Sequence, residues 1–456
     1  LRRGREKGSS ALLLTIAAVV IGVGLYVYNS AMFERESPVI SMKNNGYWNL
    51  KNPLELTIND SSGLKSYKVT LVTKSEETLL YHEQFLTPKE SLNISVEPPK
   101  SAYAMSEKEI KIVVEAQDSS KWNFLNGNVA QNEFKLKIDK KRPLLGTIAN
   151  SYKIKKGGAA LVVFKAEDEN LKELYIQTNF DKQFKVQPFY KDGYYISLLA
   201  WPVTESTFKA TIMAKDKADN ISRADVPLYL KDASYRVSNI KISDNFLKGK
   251  IAELAEEFAE TQGVTDSIEQ FKIINEDVRA KNEELIHEIT SKVSDEMIDD
   301  FKVTKMYPLK NGAVVAYFGD HRFYFYENKK ISEAYHLGLD LASNAMAEIK
   351  PQNGGEVVFT GFNGLYGNMP IISHGLGLYT LYGHCSSVNV NIDDKVKGGA
   401  HIANTGKSGY AMGDHLHFGI LIQGIEVRPA EWMDTTWIKL NINDVIDNAK
   451  SIIDRK

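Results

Sequence analysis

The chain opens with an unbroken apolar run. From Gly8 to Phe33 no residue carries a charge, and Ala11–Tyr28 is strongly apolar. Such a stretch is about long enough to cross a bilayer core as one helix. Arg2, Arg3, Arg5 and Lys7 precede it, so the pattern predicts a cytoplasmic basic tail over 1–10 and a transmembrane anchor over 11–30. A cleaved signal peptide is the competing reading. Ser30 and Ala31 are small, but Asn29 fits an Ala-x-Ala site poorly, which favours the uncleaved anchor. On either reading everything after residue 34 is expected to be exported.

The patterning then changes to period two. Tyr67, Val69, Leu71 and Thr73 alternate with polar residues, as do Ile110, Ile112, Val114 and Ala116, and later Phe208, Ala210, Ile212 and Ala214. Alternation broken by turn residues predicts half-buried strands of a sandwich. The region reads as a duplication. Asp60 precedes Leu64-Lys-Ser-Tyr67 as Asp168 precedes Leu171-Lys-Glu-Leu-Tyr175. Glu115-Ala-Gln-Asp118 matches Met213-Ala-Lys-Asp216. With Lys140-Lys-Arg-Pro143 as junction, this gives two immunoglobulin-like domains, 36–139 and 140–235, of the usual size of about 100 residues. The ending at Asn220 resembles bacterial immunoglobulin-like modules. The expected role is a spacer that carries the C-terminal part away from the membrane.

Over 244–300 the period becomes helical. Leu247, Ile251, Leu254 and Phe258 recur at i, i+4, i+7 and i+11, Gly263 interrupts, and Ile268, Phe271, Val278, Leu285 and Ile289 form a second stripe. Two amphipathic helices in a hairpin are predicted. They either bury their stripes on a neighbour or cover the groove of the following domain. From 301 the chain returns to short strands with many glycines: Ala313–Tyr317, Arg322–Tyr326, Glu356–Thr360, Met369–Ser373 and Leu378–Tyr382. A helix is predicted at the end, over 441–456.

Bulk properties refine this little. The length fits about three domains at roughly 150 residues each. The net charge of −2 gives no global field for nucleic acid. Cys385 is the sole cysteine, so no internal disulfide forms; it reads as a small buried thiol.

The informative chemistry is histidine placement. Of nine histidines, six lie between His336 and His417. His336-Leu-Gly-Leu-Asp340 offers nitrogen and oxygen ligands around a glycine. His384 ends an apolar strand. In His415-Leu-His417-Phe, a strand would put both imidazoles on one face. His336, Asp340, His384, His415 and His417 together point to a metal site, and imidazole with carboxylate suits catalytic zinc. His82, His287 and His321 read as structural, and His374 and His401 as structural or supporting.

These motifs, with Phe318-Gly-Asp-His-Arg322, Gly364-Leu-Tyr-Gly-Asn368 and Gln423-Gly-Ile-Glu-Val-Arg-Pro429, resemble the lysostaphin/LytM-type zinc endopeptidases, which cut peptidoglycan peptides. The resemblance covers about 305–434. It implies Zn2+ held by His336, Asp340 and His417, with His384 and His415 as the two further active-site histidines. It also implies a compact antiparallel-β fold with a groove. Gly419 stands where the family often has Glu, and Cys385 where it commonly has Leu. The expected architecture is thus mainly β and multidomain: an anchor helix, two immunoglobulin-like β-sandwiches, a helical hairpin and a LytM-like domain over 301–440. The implied function is a zinc-dependent peptidoglycan hydrolase, a D,D-endopeptidase, on the periplasmic side of a bacterial inner membrane. The alternatives are a D,D-carboxypeptidase, or a non-catalytic activator or scaffold for other wall hydrolases. Peptidoglycan is the expected partner and nucleic acid is not one.

Overall fold

The computed structural model describes residues 8–103 and 105–455; most of the basic tail lies outside them. The chain divides into two compact units. One holds residues up to 143 with 169–172 and 215–221, and the other holds 144–168, 173–214 and 222–456.

In the first unit, Gly8–Asn29 is one helix of 22 residues. At 1.5 Å per residue it is about 33 Å long, close to a bilayer core. Its apolar part has no buried residue. A six-stranded sheet follows, ordered Val39–Lys43, Leu54–Val72, Glu109–Asp118, Val129–Ile138, Tyr47–Trp48, with Glu77–Val96 also paired to Leu54–Val72. Ile110, Ile112, Val114 and Ala116 all face the core beside Val69, Leu71 and Trp48, as their alternation predicts. Among the described residues, all six strands belong to one sheet rather than two. The long strand is continuous through its register breaks between Asn59 and Ser66, so both of its arms count as one ladder.

Residues 144–225, all of them in the second unit except 169–172 and 215–221, build two four-stranded sheets. One is Gln183–Lys185, Leu171–Thr178, Ala210–Asp216, Ile221–Asp225; the other is Gln187–Pro188, Tyr194–Ala200, Ala159–Glu167, Leu144–Asn150. This part is not a free-standing module. Its core is continuous with that of the C-terminal domain: Phe164, Leu198, Phe418, Ile420 and Trp432 belong to one buried cluster. Buried polar bonds seal the contact. Glu431 accepts from the amide of Ala159 at 3.0 Å, and Gln423 accepts from the amide of Lys185 at 2.8 Å. The terminal helix Asp444–Asp454 buries Val445, Ile446, Ala449 and Ile453, and Ser151 donates to Asn441 just ahead of it. The six buried positions Ala159–Phe164 follow from this: a strand covered on both faces loses alternation.

The helical segments run over 244–257 and 267–290, with Gly263 in a left-handed turn between them. The first stripe is buried as expected: Leu247, Ile251, Leu254 and Phe258. The second is buried in part: Phe271 and Val278 are buried and Ile268 and Ile289 pack on core clusters, but Leu285 is exposed and Ile286 and Thr290 are buried instead. A π-type turn at Ile274–Val278 inserts one extra residue and advances the buried face by one position. The helices pack on Tyr324, Ala334 and Leu365. One strand that the pattern missed, Val237–Lys241, joins the C-terminal domain by parallel pairing with Asp320–Tyr326.

The C-terminal domain is built on an eight-stranded sheet, ordered Ala313–Ala316, Leu339–Ala342, Leu416–Ile422, Leu378–Gly383, Asn368–Ser373, Gly355–Phe362, Lys395–Val396, with Ile425–Val427 on Leu416–Ile422. Neighbouring strands in it pair antiparallel.

Candidate metal centre and cleft

Two adjacent strands carry the centre. Asp340 lies directly opposite His417 in the ladder, and His417 lies opposite Gly383 on its other side. Directly opposed residues hold their Cβ atoms about 5 Å apart, which brings a carboxylate and an imidazole into contact. His336 reaches the same point from the end of Lys329–His336. Asp340 Oδ1 is 3.0 Å from His336 Nε2 and 2.9 Å from His417 Nδ1, and the two nitrogens are 3.2 Å apart. All three residues are buried, and their ligand atoms form one cluster. A tetrahedral zinc with bonds of about 2.0–2.1 Å has ligand–ligand edges of about 3.3 Å, so this triangle needs to open only slightly to fit the ion. One coordination position remains for solvent or substrate.

Backbone carbonyls orient the rings. His336 Nδ1 lies 2.9 Å from the carbonyl of Tyr317, His384 Nδ1 2.9 Å from that of Ser408, and His415 Nδ1 2.8 Å from that of Gly413. A ring nitrogen facing a carbonyl carries a proton, so in the neutral form of each of these imidazoles the lone pair sits on Nε2. His384 has a positive φ of 62°, a costly conformation for a non-glycine residue. Its amide donates to the carbonyl of Tyr366 at 2.8 Å. The rings of His384 and His415 are 4.8 Å apart, and His415 Nε2 is 3.8 Å from Asp340 Oδ2. The five residues singled out in the sequence are therefore brought together.

Electrostatics follow from burial and charge. Burial alone would raise the Asp340 carboxyl, but the charges and hydrogen bonds of His336 and His417 outweigh it and hold the group well below the carboxylate range. Burial, helped by the neighbouring His417 and His415, pushes His384 down to about 3. A neutral imidazole and an ionised carboxylate are the forms that metal chemistry requires.

The centre opens into a cleft of about 650 Å3. His336, Asp340, His384, His415 and His417 line one side, and Phe246, Arg279, Arg322 and Tyr410 contribute elsewhere. The helices thus supply part of the cleft wall while burying their stripes.

The other histidines lie apart. His374 bonds the Gly354 carbonyl and the Thr380 hydroxyl. His321 stacks on Tyr335 at 4.1 Å, and His401 contacts Asn389 and Asn404. Cys385 is buried, its thiol pushed up to about 12 by burial. His287 does more than its sequence setting suggests. Its Nε2 lies 2.8 Å from Glu426. Beside this pair, burial and the Glu426 charge push Glu283 up to about 7, and Glu283 faces the buried hydroxyl of Tyr366. The Tyr366 ring meets His417 edge-on at 5.4 Å. No local motif marks Glu283, and although Tyr366 lies in the Gly364-Leu-Tyr-Gly-Asn368 stretch, only tertiary packing brings the two together behind the centre.

Gly338, between His336 and Asp340, has a packing reason. A Cβ there would lie 2.4 Å from His417 Cε1 and Nε2.

Comparison with known proteins places this domain. Residues 334–429 match Peptidase family M23. The DD-carboxypeptidase/endopeptidase Mpg of Neisseria meningitidis serogroup B is 35% identical over 94 residues, 21% of this chain and 22% of that protein. The peptidoglycan DD-endopeptidase ShyA of Vibrio cholerae is 33% identical over 95 residues, with 21% and 22% covered. The murein hydrolase activator EnvC of Escherichia coli is 31% identical over 96 residues, with 21% and 23% covered. The chain spans less than a quarter of the length of these curated relatives.

Proposed function

From a chain that carries a peptidase M23 domain at its C-terminal end, we propose a zinc-dependent peptidoglycan hydrolase that cleaves amide bonds of wall peptides, a D,D-endopeptidase. The observation that carries this reading is the complete His336–Asp340–His417 triangle with two further imidazoles, those of His384 and His415, beside it in an open cleft. Relatives named for endopeptidase activity support the substrate class.

His336, Asp340 and His417 would hold the zinc through His336 Nε2, Asp340 Oδ1 and His417 Nδ1, and when bound it would acidify water and polarise the scissile carbonyl. The remaining work falls to the chain. The Tyr317 carbonyl locks the His336 tautomer, and Asp340 fixes the His417 ring. His384, kept neutral by burial, and His415 flank the open side. One, neutral, accepts the proton of the attacking water on Nε2; the other, protonated, steadies the oxyanion, and the proton taken from the water passes on to the leaving amine. The cleft walls bind the peptide and limit water.

The helix Gly8–Asn29 serves as an uncleaved inner-membrane anchor in this reading, with the remainder in the periplasm of a bacterium. The two β regions act as immunoglobulin-like modules, the second fused to the peptidase body, and the helices form a hairpin that walls the cleft.

The test is to incubate the full chain in detergent with purified cross-linked peptidoglycan and to read the released fragments by mass spectrometry. A chelator arm and a His417→Ala arm run in parallel. Chelator-sensitive conversion of dimers to monomers, lost in the variant, is expected. Release of terminal D-Ala alone would make it a carboxypeptidase. The name of EnvC motivates the other reading; no fragments, with stimulation of a second wall hydrolase, would make it an activator.

A further inference from the structure

We infer that the loop 121–126, with Leu86, is a second membrane contact, seated in the headgroup region of the bilayer that the helix Gly8–Asn29 enters. This rests on reading that helix as an anchor. The loop is tied to the point where the helix leaves the membrane. The amide of Lys121 donates to the carbonyl of Met32 at 2.8 Å. Ser120 Oγ and Asn128 Nδ2 both donate to the carbonyl of Glu34, at 2.6 and 3.1 Å. The Arg35 guanidinium lies over the ring of Tyr28, in the last helical turn, at 4.4 Å and over that of Trp122 at 4.7 Å. Trp122 therefore stands at the depth of the helix end, where aromatic side chains and bilayer interfaces meet.

The loop then presents apolar side chains outward. Asn123, Phe124 and Leu125 all have positive φ, 50°, 57° and 72°, a run that costs backbone energy for residues with a Cβ. The result is a Phe124 that is 100% exposed and a Leu125 that is 67% exposed. Leu86 joins them. The ladder pairs Ser66 with Gln84 but Leu64 with Lys89, so residues 85–88 loop out and leave Leu86 fully exposed. Pro88 packs on Gly63, whose carbonyl accepts from Ser119, which puts this bulge at the same end of the sheet.

Charge agrees with the placement. Lys121, Lys89 and Arg35 are exposed at this end and suit anionic headgroups, with the exposed Glu36 and Glu90 offsetting part of that charge. The nearby acid Glu34 has a carboxylate oxygen within 4.8 Å of those of Asp60 and Asp118, both buried. A strained loop that exposes a whole phenylalanine to water is disfavoured; the same loop in the interfacial layer buries it.

The test uses the full chain reconstituted in liposomes containing anionic lipid. An environment-sensitive fluorophore is attached at Phe124→Cys or, as control, at Ser75→Cys. Cys385 is buried, so the new thiol labels selectively. Ser75 is exposed in the turn beyond Val72, about 26 Å along the strand from Leu64 at 3.3 Å per residue. The expected result is flotation with the liposomes, blue-shifted emission at 124, and loss of most of that emission to headgroup-labelled quencher lipid, with 75 unaffected. Flotation with water-like, unquenched emission at both positions would overturn the docking while the anchor stands; the exposed residues would then await a protein partner. Failure to float would overturn the anchor reading and the docking together.

Discussion

Replacing Gly338 by alanine tests the centre without touching a ligand. Gly338 does not occupy the left-handed region, so its backbone accepts alanine, and loss of chain entropy in the unfolded state would favour the variant by about 0.4–1 kcal/mol. The new methyl meets the His417 ring, at 2.4 Å from Cε1 and Nε2. Carbon atoms rest at about 3.5–4.0 Å, so ring or loop must retreat by about 1 Å. Cε1 is bonded to Nδ1, the atom that faces Asp340 and His336, so the retreat displaces the proposed ligand atom itself. Ligand distances must hold to within about 0.2 Å, and even outer residues that orient ligands are worth about 10–100-fold in affinity. Zinc affinity of Gly338→Ala should therefore fall by at least about 100-fold, read by competition with a chromophoric chelator. Thermal melting of the metal-free protein should fall modestly, because forcing the buried ring aside costs about 1–3 kcal/mol, more than the entropic gain. A variant that takes zinc as tightly as the parent would refute both the ring placement and the assignment of His417 as a ligand.

Other expectations follow from the same geometry. His384→Ala and His415→Ala should retain zinc yet lose about 10²–10⁴-fold in hydrolysis; metal loss in either would make that residue a ligand. Phe271 is fully buried and meets Tyr324 edge-on at 5.2 Å, so Phe271→Ala should destabilise the helical segments by about 3–5 kcal/mol, seen as faster proteolysis within 244–290. Burial pushes Glu431 from 4.5 up to about 7. A raised carboxyl favours the folded state below the lower value, and the gain disappears as pH climbs through the higher one. The peptidase body should therefore lose roughly 3 kcal/mol between pH 4.5 and 8 on this account. Glu431→Gln should abolish that part of the slope in denaturant melts followed by the buried Trp432, and an unchanged slope would remove Glu431 as its source.

The site was far more legible than the body that holds it. Metal chemistry restricts ligands to a few residue types, and strand periodicity fixes which of them share a face, so His336, Asp340, His384, His415 and His417 stand out in the sequence and meet in space. The strands that carry them are short and bounded by glycines, and Ala313–Ala316, Asp320–Tyr326 and Leu378–Gly383 appear close to where alternation predicts. What supports them is held by contacts distant in sequence. The carbonyls of Tyr317, Ser408 and Gly413 carry no side-chain signature, yet they set the proton positions on three imidazoles.

The two departures in the body share a cause, since periodicity describes one element and says nothing of what is laid against it. Ala159–Phe164 reads as an unbroken apolar run because one face meets its own sheet partner and the other meets the C-terminal body. The buried Gln423 and Glu431, with donors supplied by Lys185 and Ala159, make that contact specific as well as apolar: separation would strand both side chains without partners, at about 1–3 kcal/mol each. The helix stripe fails more subtly. A single π-type turn at Ile274–Val278 leaves the composition amphipathic but moves the buried register from Leu285 to Ile286. That shift turns Glu283 and His287 inward toward Tyr366 and Glu426, which is where the helix reaches the back of His417. In a strictly 3.6-residue helix those two polar groups would face elsewhere, so the turn that defeats the periodicity is also what couples the helical segment to the metal centre.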